Sequence, residues 1–157
     1  MLGAAESKEE LELVRRRFQA VVDAKRDSTT RDDRFDVAWS MSCLASVYDR
    51  LKMPTLAEES YLAAIRLFDE NDMPGNSAGL STALAALYLE LGRTRDAQDQ
   101  LNENVRYTTK QWGAGHYHVL SAQEELQHFQ KTGEMIKAFQ HRWCKACGVD
   151  EYGVGFD

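Results

Sequence analysis

A chain of 157 residues suffices for one domain with a sizeable core, and 43% apolar with 28% charged residues excludes a disordered or fibrous class. The net charge of −6, from 19 basic and 25 acidic side chains, is the wrong sign for a phosphate-tracking surface, so nucleic acid is not an expected partner. No stretch approaches the roughly 20 apolar residues that span a bilayer, the start lacks the order of a secretory signal, and three cysteines make no disulfide framework; the expected location is cytoplasmic, with no membrane partner.

The first helix is predicted over 7–26. Ser7 and Glu10 form a capping box, and Leu11, Val14, Phe18, Val21 and Val22 recur at helical spacing. Arg15, Arg16 and Arg17 sit among acids and read as a solvated face. Residues 27–33 are polar and cap-forming, and a second helix is expected from about Arg34 to Leu51. Its apolar coverage is broad, which predicts neighbours on more than one side. Thr55 and Glu58 suggest another capping box, opening a third helix over about 56–69. The run Glu70 to Ser77, with Pro74 and Gly75, reads as the clearest break in the chain.

A fourth helix is expected over about 78–91, ending at Gly92 in a left-handed cap position. Thr94 is read as the cap of a fifth over about 95–111. Gly113 and Gly115 mark the next turn, a sixth helix follows over 117–131, and a seventh over 134–147 precedes a tail at 148–157.

Leu44, Ala45, Tyr48, Leu51 and Ala57 align with Leu84, Ala85, Tyr88, Leu91 and Ala97 at a constant offset of 40. A weaker copy follows at 41, with Leu126, Phe129, Gly133 and Ala138 at the matching places, but Glu125 and Thr132 where leucines stood. Small residues let paired helices approach, and the aromatic fills space between hairpins. A hairpin cannot bury its apolar face alone, so copies stack, and a terminal copy is expected to turn polar.

This pattern resembles the tetratricopeptide repeat (TPR), with Leu-Ala-x-x-Tyr-x-x-Leu-Gly-x-x-x-x-Ala over 84–97. The period of 40 to 41 is similar to the longer repeats of kinesin light chains and of the helical C-terminal domain of SET and MYND lysine methyltransferases, and Gly113-Ala-Gly-His116 looks like their Gly-x-x-His turn. The resemblance implies an all-α, right-handed superhelical stack of about seven helices: an N-terminal helix, repeats at 34–69 and 78–111, and a degenerate repeat at 117–147. A helical bundle without superhelical stacking is the alternative fold.

In the family, the first helix of each hairpin lines a concave peptide groove. That geometry implies inward positions at Trp39, Ser42, Cys43, Ser46, Asp49 and Arg50, then Gly79, Thr82, Ala83, Ala86, Leu89 and Glu90. In the third copy it implies Leu120, Gln123, Glu124, Gln127, Gln130 and Lys131. The Lys and Asn set with which chaperone-binding members grip a peptide carboxylate does not appear. The implied function is a noncatalytic adaptor or scaffold that takes a protein or peptide partner, with no cofactor. Trp39 anchors that partner if exposed and fills space between hairpins if buried. The tail, with Tyr152 and Phe156, is either a plug for the groove or a frayed end.

His141, Cys144 and Cys147 hold the one local motif with chemistry, for zinc or thiol exchange. A thioredoxin fold is excluded, since it needs sheet around the motif. His116 and His118 alternate at a helix start and do not match helical zinc spacing, and neither acidic cluster, 32–33 or 69–72, carries a calcium loop. The alternatives to an adaptor are therefore a zinc or redox module at the C-terminal cysteines, or a docking fragment of a larger enzyme.

Overall fold

A computed structural model describes residues 7–136. These form six helices and no strand: α1 (Lys8–Lys25), α2 (Arg31–Arg50), α3 (Pro54–Glu70), α4 (Pro74–Glu90), α5 (Thr94–Trp112) and α6 (Tyr117–Thr132). Each helix packs chiefly on its neighbours in the chain, α1 on α2 through α5 on α6. No helix among them is long and apolar enough to cross a membrane. The expected seventh helix does not begin at Glu134, since 134–136 carry no helix, and Ala138 with the remainder lies outside the described residues.

The capping box of α1 is present, with Ser7 N donating to Glu10 Oε2 at 2.7 Å and Glu10 N to Ser7 Oγ at 3.2 Å. Four other helix starts, those of α2 to α5, differ from expectation. Thr30 caps α2 by accepting from Asp33 N, so the helix begins at Arg31 and not at Arg34. Lys25 then pairs with both Asp33 and Asp36, and its hydrogen bond to Asp33 is the largest influence holding that carboxyl down at about 2. The Thr55 box does not form. Pro54 occupies the first helical position, where its missing N–H costs nothing, and Met53 caps without a side-chain bond. Arg93, not Thr94, is the cap residue of α5.

The break expected over 70–77 shrinks to Asn71, Asp72 and Met73, because Pro74 starts α4 in the same way. Ser77 lies inside that helix, fully buried, and donates to Ile65 O at 3.0 Å.

The short turns share one geometry. Helices α2, α3 and α4 each end in a Schellman motif, in which Met53, Met73 and Arg93 N–H bond Tyr48, Phe68 and Tyr88 C=O at 2.8–2.9 Å. The left-handed residues are Lys52 (φ 58°), Asp72 (φ 58°) and Gly92 (φ 73°), at a spacing of 20. The 40-residue repeat is thus two passes of a 20-residue structural unit. Only Gly92 had the residue type that announces such an end.

Most of the anchors are buried as their repeat implies, but Leu51 is half-buried and Leu91 is 43% exposed, so the leucine that closes each first helix is not a core residue. Ala45, Ala57, Leu84, Ala85 and Ala97 have essentially no exposed surface, and Leu44, Tyr48, Tyr88 and Phe129 are buried with them. Helix α4, packed between α3 and α5, buries Leu80, Leu84 and Leu87 as well as Ser77, Ser81 and Thr82. In the third copy, Glu125 is not the solvated residue expected at the end of a stack. It is 2% exposed, and its carboxylate accepts the N–H of Ile136 at 3.0 Å. A carboxylate at a leucine position thereby caps backbone that has no helical partner.

Candidate functional site

A cleft of about 210 Å³ opens where α4, α5 and the start of α6 meet. Gly75, Ala78, Gly79 and Thr82 form its α4 wall, Asn104, Thr108 and Trp112 its α5 wall, and His118 closes it from α6. Among the described residues, no carboxylate, ammonium or guanidinium lines it.

Its floor is polar and tightly bonded. Asn104 is 7% exposed, and its amide nitrogen donates to Ala78 O at 2.9 Å and to Thr82 Oγ1. The carbonyl of Ala78 fixes the orientation of that amide, since only the NH₂ end can face an acceptor. Thr108 Oγ1 donates to Asn104 O at 2.7 Å and stands 3.4 Å from Asn104 Oδ1.

The rim is aromatic. Gly113 and Gly115, at φ 81° and 88°, reverse the chain so that Trp112 meets the residues opening α6. Its ring stacks on His116 at 4.9 Å and lies 5.1 Å from His118, while Tyr117 and His118 rings are 4.0 Å apart. His116 caps α6, its Nδ1 accepting from His118 N at 3.3 Å, which places the ring proton on Nε2. Trp112 is 50% exposed, Tyr117 66% and Leu120 56%.

The expected groove residues divide. Ser42 and Cys43 are buried and do not reach the surface; Ser42 Oγ turns back to Trp39 O at 2.7 Å. Thr82 is also buried, at the base of the cleft. Trp39 is half-buried, its ring 6.2 Å from that of Phe35, which meets Phe68 edge-on at 6.0 Å. It therefore fills space against the core more than it projects. Ser46, Ala86 and Leu89 are half-buried, while Arg50, Gln123 and Gln127 are exposed. Of the eighteen inward positions expected from the repeat register, Gly79 and Thr82 line the cleft. At the far end of α2, burial and then the nearby Glu90 raise the Asp49 carboxyl above its usual range, so the α2 and α4 ends lie close enough for their charges to interact.

Sequence reasoning missed Asn104, Thr108 and Trp112. The offset of 40, extended beyond its best-matched segment, would have drawn attention to the first two, since they stand opposite Ala64 and Phe68. Among the described residues, no group of three or more His, Cys, Asp or Glu is placed to hold a metal ion. His141, Cys144 and Cys147 lie outside the described residues, as does the 148–157 tail. No protein-family model, curated protein or solved structure matches the chain.

Proposed function

We propose that this chain is a noncatalytic interaction module, a TPR-like stack of hairpins that binds a peptide segment of another protein across the α4–α5–α6 face. The observation that carries the reading is the exposed Trp112, Tyr117 and Leu120 beside an uncharged cleft. Binding energy concentrates in a few aromatic residues beside well-packed pockets, and an uncharged concave site with a few polar groups suits a neutral anchor residue. The sequential packing of six helices supports a repeat scaffold, in which successive hairpins present one continuous surface.

Selection of displayed random peptides on the full chain tests this reading. Recovered peptides are expected to weaken by about tenfold or more on Trp112→Ala, the loss typical of an interface anchor, with the unfolding midpoint unchanged. Failure to recover binders, or recovered binders indifferent to Trp112→Ala and Tyr117→Ala alike, overturns it.

A further inference from the structure

The two hairpins superimpose in register at an offset of 40, since α2 and α4 end at Arg50 and Glu90, and α3 and α5 begin at Pro54 and Thr94. In that register Phe35, Trp39 and Phe68 of the first hairpin stand opposite Gly75, Gly79 and Thr108 of the second. The first hairpin fills its space between helices with its own rings, Phe35 stacked on Trp39 and edge-on to Phe68. The second has no side chain or a small one at all three places, and there the cleft of about 210 Å³ lies.

We infer that this cleft receives one aromatic side chain bearing a hydrogen-bond donor, tyrosine or tryptophan, from the bound partner; the inference rests on the interaction-module reading. Three observations converge on it. Over Gly75 the Gln111 side chain takes the room, accepting the Gly75 N–H at 3.2 Å, whereas at Gly79 and Thr108 the rings that fill the first hairpin have no replacement and the space stays open.

Gly79 itself is not required by the packing. It is helical, a Cβ built there meets nothing within 4 Å, and glycine is a costly residue in a helix interior. The room above it belongs to the cleft.

The floor asks for a donor. Thr108 has a single hydroxyl proton, shared between Asn104 O at 2.7 Å and Asn104 Oδ1 at 3.4 Å, so Oδ1 holds only the longer of the two bonds and has a lone pair to spare. Alanine stands at the matching place in the first hairpin, Ala64, so this acceptor is particular to the open copy. A phenol O–H or indole N–H entering between Trp112 and His118 meets that oxygen. Among the described residues, no charged group lines the cleft to favour a lysine, arginine or carboxylate instead.

The test is an amide-resolved NMR titration of the full chain with p-cresol and with toluene, on the wild type, Gly79→Trp and Asn104→Ala. Saturable shifts at Gly75, Gly79 and the Asn104 side-chain amide are expected with p-cresol, about tenfold tighter than with toluene. Gly79→Trp, which copies Trp39 into the open hairpin, should fold and abolish these shifts; Asn104→Ala should bring the two probes to parity. Should Asn104→Ala fail to fold, Gly79→Trp still decides the matter. Equal binding of both probes by the wild type, shifts confined to other surfaces, or shifts surviving in Gly79→Trp overturn the inference. Peptides that bind Gly79→Trp as tightly as wild type, yet weaken on Trp112→Ala, would overturn it while leaving the interaction reading intact.

Discussion

The phenol of Tyr88 donates a 2.8 Å hydrogen bond to Oε1 of Glu58, joining α4 of the second hairpin to α3 of the first. Arg93 holds the other oxygen at 2.8 Å and lies 4.3 Å over the Tyr88 ring. Tyr88→Phe removes the donor to a charged acceptor and is expected to cost about 1.5 kcal/mol, measured by urea unfolding at neutral pH. Burial and then the Glu58 bond push the phenol up from 10 to about 12. A folded-state value above the unfolded one adds stability in full below pH 10 and loses it as pH rises towards 12. Alkaline unfolding should therefore steepen in that window for the wild type and less so for Tyr88→Phe.

Lys52 and Asp72 hold left-handed backbone at φ 58° where Gly92 does so without a Cβ penalty. Lys52→Gly and Asp72→Gly should each stabilise by about 1 kcal/mol, while Gly92→Ala should destabilise by about the same amount. Thermal midpoints check all three, with shifts of roughly 2–4 °C per kcal/mol for a chain of this size. A loss of stability on both glycine substitutions would show that these turns are held by something other than the Schellman bonds.

Two serines on α4, both fully buried, should respond in opposite directions. Ser77 donates to Ile65 O at 3.0 Å, and Ser77→Ala is expected to cost about 1 kcal/mol. The hydroxyl of Ser81 has no hydrogen-bond partner among the described residues, so Ser81→Ala should be neutral or stabilising by up to about 1 kcal/mol. Paired denaturant melts settle the contrast.

Asp49 carries a carboxyl raised above 3.8 by burial and by Glu90. Its charged form is disfavoured in the fold, so its stabilising contribution is present when protonated, below 3.8, and is lost as pH rises through the raised value. At neutral pH Asp49→Asn should raise the urea midpoint, and the gain should shrink as the pH falls towards 3.8. A gain independent of pH would place the effect elsewhere.

The helices were legible because their signals are local. Leu11 to Val22 repeat at three and four, Gly92 announces a helix end, and the offset of 40 picked out Ala45, Ala57, Ala85 and Ala97, all buried without residue. Helix starts at Pro54 and Pro74 were misplaced for a physical reason. Cap-forming side chains lay nearby, but a proline at the first helical position with a left-handed residue two places before it makes a tighter turn that needs no side-chain bond.

The groove was less legible. Ser42 and Cys43 share a helix face with Ser46, yet a rotation of a few tens of degrees decides burial, and only packing against the neighbouring helices sets it. By itself, the sequence determined an all-helical chain, its hairpin period and the small residues at which helices meet, because those follow from periodicity and steric size. The tertiary structure alone decided that Gly75, Gly79 and Thr108 leave an open cleft beside Asn104 and Trp112. A cleft is made by missing atoms on segments far apart in the chain, and the absence becomes a site only when the helices around it are brought together.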